Sequence, residues 1–172
     1  MSKFVRYAAV GAALASLGIA SGAQAATSAQ ANASATILNS LAVAVSPTDN
    51  TLDFATIAPG ASAVSVVVAP NGTRTCPVGV VCTGTANAPT FNIQGAVNST
   101  VQVTFTNASE TLSDGAGNNM TASSFLTSLP SDVATLDASG NASFTVGGSL
   151  AVAAGQAAGT YSGTLTVNVA YN

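Results

Sequence analysis

The chain has 172 residues, one domain's worth of length, and carries three Lys or Arg against six Asp or Glu, with no His. So little positive charge excludes the basic surface that nucleic-acid phosphates require. With charged residues at 5% and no Trp, solubility rests on Thr, Ser, Asn and Gly, and any core on Val, Ile, Leu and Ala.

Residues 1–25 read as a secretory signal peptide. Lys3 and Arg6 form a positive start, Tyr7 to Ala20 an apolar stretch, and Ala23-Gln24-Ala25 a small-x-small cleavage site. The apolar stretch of 14 residues is shorter than the ~20 that a membrane-spanning helix needs. Cleavage would leave Arg74 as the only fixed cation against Asp49, Asp53, Glu110, Asp114, Asp132 and Asp137, a net side-chain charge of −5. The expectation is export, with no membrane insertion after leader removal.

Residues 26–38 form an N-terminal extension to a domain spanning 39–172. Within it Ala29, Ala31, Ala33, Ala35 and Ile37 alternate with Gln30, Asn32, Ser34 and Thr36. Such alternation predicts a strand with one apolar face. It serves equally a first strand of the chain's own sheet or a detachable strand that completes another copy. Further short alternations follow at Leu41-Val43-Val45, Leu52-Phe54, Val64-Val66-Val68, Phe91-Ile93 and Val101-Val103-Phe105, then at Phe144-Val146 and Leu150-Val152. Pro59-Gly60, Asn71-Gly72, Asp114-Gly115 and Gly140-Asn141 supply turn chemistry between them. Ser123 to Leu129 reads as one or two helical turns at most. The last alternation is the clearest: Tyr161, Gly163, Leu165, Val167, Val169 and Tyr171 share one parity, and polar or small residues take the other. Many short strands without a long helix predict an all-β, antiparallel, immunoglobulin-like β-sandwich with an N-terminal extension strand.

Cys76 and Cys82 are the only cysteines. In an exported chain such a pair reads as a disulfide, here around the turn-prone Pro77-Val78-Gly79-Val80-Val81. A metal site would need ligands that a chain without His does not offer. An enzyme is disfavoured: no His, no Lys after cleavage, no phosphate-binding Gly-rich loop. Asp49 and Asp53 remain as paired carboxylates, without the aromatic surfaces of a sugar cleft. Asp114-Gly115-Ala116-Gly117-Asn118-Asn119 has one carboxylate, too few for calcium, and reads as a hairpin turn. No catalytic residue, cofactor or metal is expected.

Leu52-Asp53-Phe54-Ala55-Thr56-Ile57-Ala58-Pro59-Gly60 resembles the Leu-x-Phe-Gly-x-Ile-x-Pro-Gly segment of a family of exported proteobacterial β proteins of unknown function. Ala33 to Ile37, Phe91 to Gly95, Gly147 to Leu150 and Gly155 to Tyr161 are similar to its other segments. Ala55 stands where that family has Gly. More distantly, the pattern is similar to spore coat protein U-like pilins of the chaperone–usher class, although their early Cys is replaced by the region of Leu41. This resemblance implies a sandwich lacking one strand, whose groove receives a strand from a periplasmic chaperone and then from a neighbouring subunit. It implies Ala29, Ala31, Ala33, Ala35 and Ile37 as the donor strand, and Tyr161, Leu165, Val167, Val169 and Tyr171 as the acceptor edge. The partners implied are other copies or related subunits, a chaperone and an outer-membrane usher. The location implied is the periplasm, then a surface fibre, of a Gram-negative bacterium. The alternative is a monomeric, self-completed sandwich that binds a ligand or glycan.

Overall fold

Burial along the C-terminal segment follows the alternation of its sequence: Val167 is buried and Leu165, Val169 and Tyr171 half-buried, while Thr164, Thr166, Asn168 and Ala170 are exposed. The computed structural model describes residues 28–172, so the leader lies outside the described residues. Residues 36–172 form one compact unit. Residues 28–35, described separately, are exposed and in no strand.

Twelve strands make up the unit. β1 (Ala42–Val45), β6 (Thr90–Gln94) and the first part of β11 (Asn141–Val152) are hydrogen-bonded neighbours, all antiparallel. The second part of β11 pairs with β3 (Val64–Val68) on one side and β9 (Asn119–Thr127) on the other. β4 (Arg74–Thr75) extends this sheet beyond β3, and β8 (Ser109–Ser113) extends it beyond β9. A second sheet has the order β10 (Val133–Thr135), β7 (Thr100–Phe105), β12 (Val167–Tyr171). β2 (Thr56–Ala58) and β5 (Val81–Thr83) form a small two-stranded sheet. The result is an antiparallel β-sandwich. No α-helix occurs among the described residues, and none is long and apolar enough to cross a membrane.

The core falls into two clusters. One joins the two larger sheets through Ile93, Val101, Val103, Ala134, Leu136, Phe144, Val146 and Val167. The other lies under β3, β9 and the end of β11, through Val66, Val68, Ala122, Leu150 and Val152, and is covered by Phe54 and Ala88. Gly147 marks a close approach of backbones: a Cβ there would overlap the Val68 carbonyl.

Several predicted strands change at positions of unusual backbone. Leu52–Phe54 forms only an isolated bridge, Asp53 to Asn87, because Ala55 at φ +55° turns the chain before β2 begins. Asp53 Oδ1 holds that turn by accepting the Ala55 N–H at 2.7 Å. The helical reading of Ser123 to Leu129 is wrong; these residues are mostly strand β9. Met120 and Ala122 are buried on even parity, whereas Phe125 and Thr127 are half-buried on odd parity. Ser124 at φ +52° and a register shift opposite Gly147/Ser149 form a β-bulge that switches the parity. Phe144-Val146 and Leu150-Val152 belong to one long strand, β11.

The turns behave as their composition predicts. Asp114 Oδ1 accepts the N–H groups of Ala116 and Asn118, closing the β8–β9 hairpin. The Asn118 side-chain amide foremost, with these backbone groups, lowers the Asp114 pKa against a partial loss of water. Backbone N–H groups of Asn141 and Ser139 likewise lower the pKa of Asp137, in the turn before β11. Cys76 and Cys82 are disulfide-bonded, closing the loop between β4 and β5. Such a bond is formed and kept in an oxidising, extracytoplasmic compartment.

Candidate functional site

An apolar core normally forms one continuous cluster. Here the two clusters are separated by a groove of about 520 Å³. One wall is β1 and residues 50–54, contributing Val43, Val45, Leu52 and Phe54. The other wall is residues 161–167, contributing Tyr161, Leu165 and Val167, and Phe91, Leu112, Ala122 and Phe125 complete the lining. Phe125 packs against both clusters, so its ring sits at their junction. A second cavity of about 740 Å³, between residues 51–59 and 156–161, shares Leu52, Phe54, Leu112 and Tyr161 with the first.

Both walls present unpaired backbone. Among the described residues β1 pairs with β6 alone and β12 with β7 alone, so each is an edge strand. Before β12, Ser162 and Ser113 exchange backbone hydrogen bonds at 2.9 and 3.0 Å, and the Thr166 carbonyl accepts the Thr106 N–H at 3.1 Å. Between those points the N–H groups of Gly163, Thr164 and Leu165 have no backbone partner among the described residues. An apolar trough flanked by such groups has the chemistry to take an extended polypeptide, which brings amides for the edges and side chains for the trough.

Among the described residues Glu110 is the one charged side chain lining the first cavity, half-buried and bonded by Asn107 Nδ2 at 3.0 Å. A purely apolar occupant would strip water from this carboxylate without replacing its hydrogen bonds. An amide-bearing occupant would not.

The wall of residues 51–58 is held from behind. Arg74 donates to the carbonyls of Phe54 at 2.8 Å, Thr83 at 3.1 Å and Gly84 at 3.1 Å. β5, stapled to Cys76 through Cys82, pairs with β2. On the opposite wall, Tyr161 Oη donates to the Ala157 carbonyl and accepts from Gln156 Nε2, fixing the loop below the groove.

The sequence-predicted residues are distributed unevenly over this site. Tyr161, Leu165 and Val167 line the groove, whereas Val169 and Tyr171 continue β12 beyond it. The expected strand from Tyr161 to Tyr171 begins only at Val167, since the chain at 161–163 sides with β8 instead: a Cβ on Gly163 would lie 2.7 Å from the Thr111 carbonyl. Ala29, Ala31, Ala33, Ala35 and Ile37 are all exposed and in no strand, with Ile37 at 94% exposure. Phe125, Leu112 and Glu110 were not legible as lining residues, because the bulge at Ser124 disguises the strand that carries or pairs with them.

Residues 43–171 match the domain of unknown function DUF4402, and the chain belongs to that family. No curated protein and no solved structure matches the chain.

Proposed function

We propose that this DUF4402 chain is a structural subunit of a bacterial surface fibre, assembled by donor-strand exchange between copies. The observation that carries the reading is the apolar groove that divides the core and is walled by edge strand β1 and the unpaired backbone of residues 163–165. The extension supports it from the other side. Nine residues from Ala29 to Ile37 alternate without interruption, and at ~3.3 Å per residue they reach roughly 30 Å.

In this mechanism the extension of one subunit lies along the groove of the next. Its amides pair with the free edges, while Ala29, Ala31, Ala33, Ala35 and Ile37 face the trough. Four alanines make shallow plugs, so Ile37 is the main anchor, and its full burial contributes roughly 1.5–3 kcal/mol. A periplasmic chaperone would cover the same edges before assembly, and an outer-membrane usher would pass the subunit outward.

The test is gel mobility of surface material before and after boiling. The reading expects a boiling-sensitive ladder that is lost when residues 26–38 are deleted and reduced in Ile37→Asp, with secretion of the point variant intact. A single monomer band for the wild type, together with failure of the truncated chain to fold, would point instead to a self-completed sandwich.

A further inference from the structure

We infer that Tyr171 closes one end of the groove and pins the point where the extension leaves the sandwich, so that the extension enters the groove of another copy rather than its own. This rests on the donor-strand reading above and assigns the residue that directs it.

Tyr171 is the last residue of β12, half-buried on the inward parity of that strand. Its Oη accepts the Ala96 N–H at 2.6 Å and donates to the Asn39 carbonyl at 2.8 Å. The side chain therefore reaches from the edge of one sheet to the end of β6 and the start of β1 in the other. Gly95 makes this reach possible: a Cβ there would lie 2.5 Å from the Tyr171 Oη, 2.9 Å from Leu41 Cδ1 and 3.0 Å from Leu136 Cδ1. The hydroxyl end of the ring is thus held by neighbours on several sides as well as by two hydrogen bonds.

The position of this contact gives it a consequence. The groove's lining runs from Val43 and Val167 down to Leu52 and Tyr161 and does not include Tyr171. Tyr171 lies past Val167 on β12, and Asn39 lies before Val43, at the chain's approach to β1. The extension leaves from the end that Tyr171 occupies. To fill the groove of its own domain it would have to reverse within Asn39, Ser40 and Leu41 and pass between β1 and the Tyr171 side chain. The pinned Asn39 carbonyl opposes that reversal. Just beyond the pin, Ile37 is 94% and Leu38 49% exposed, so the described residues leave most of this apolar pair uncovered. The groove of a second copy offers them the same apolar trough without the reversal that entry into their own would require.

Two full-length variants test the assignment. Tyr171→Phe keeps the ring and removes both hydrogen bonds. A second variant keeps Tyr171 and inserts ten Gly and Ser residues between Leu38 and Asn39, which at ~3.3 Å each lets the extension bypass the pin. Unboiled gels give the ratio of ladder to monomer, and proteinase K with mass spectrometry reports whether residues 28–38 of the monomer are protected. Wild type is expected to give a ladder and a monomer with a cleavable extension. Both variants are expected to lower the ladder-to-monomer ratio at least tenfold and to yield monomers with a protected extension. If Tyr171→Phe does not fold, the insertion variant decides alone. Variants that polymerise like wild type, with extensions still cleavable, would overturn the role of Tyr171 while leaving strand exchange intact. A wild type without any ladder and with a protected extension would overturn both.

Discussion

Replacing Arg74 offers a quantitative test of how the groove wall is held. Its guanidinium donates to three carbonyls, of Phe54, Thr83 and Gly84, and the first of these bonds is partly buried. A net bond from a charged donor is worth about 1.5–3 kcal/mol when buried and less in water, so Arg74→Met should cost about 3 kcal/mol in total. Methionine retains the apolar stem, so the loss isolates the hydrogen bonds. For a domain of this size that corresponds to a fall in Tm of roughly 6–12 °C. Arg74→Lys should recover only a minor part, because one ammonium cannot serve three carbonyls in the plane of the guanidinium. The assay is thermal unfolding by circular dichroism at 20 mM and 1 M NaCl. Because the partners are neutral carbonyls, the loss should be nearly independent of salt, unlike that of an exposed ion pair. A loss below about 0.5 kcal/mol, or one that vanishes in high salt, would refute the clamp reasoning.

Three further outcomes follow from particular positions. Ala55→Gly should stabilise the fold by up to about 1 kcal/mol in urea titration, since φ +55° costs alanine about 1–2 kcal/mol and the extra unfolded-state freedom of glycine offsets part of the gain. Reduction of Cys76–Cys82 should cost about 2 kcal/mol, the chain entropy of so short a ring, measured as a drop in the urea midpoint with dithiothreitol. Asp114 and Asp137 have folded pKa values below their unfolded ones. Their stabilisation is therefore complete above about pH 4 and is lost as pH falls through the folded values. Asp137→Asn should flatten the decline of Tm between pH 4 and 2.

The strands that sequence revealed are those whose parity runs unbroken. Val64–Val68, Val101–Phe105 and Val167–Tyr171 alternate because one face meets the core and the other water, and nothing interrupts their pairing. β8 and β9 were hidden for two reasons. Ser109–Ser113 is mostly polar, and Ser124 resets the parity within β9 so that Met120 and Phe125 fall on opposite registers. Ala55 was visible as a departure from the family's Gly but its meaning needed the backbone: the position requires a positive φ, which Gly adopts without strain. One wall of the groove was legible through Tyr161, Leu165 and Val167. The rest of the lining comes mainly from β1, residues 50–54, β6, β8 and β9, and only the fold brings these together.

The most direct measurement of the central claim is amide hydrogen exchange at Gly163, Thr164 and Leu165 in monomeric and assembled material of the mature chain. These N–H groups have no backbone partner among the described residues. If an extension from another copy docks along the groove, they exchange fast in the monomer and become protected in the assembly, together with the amides of residues 29–37. Equal, fast exchange in both states, while β7 and β12 remain protected throughout, would contradict strand exchange at this groove.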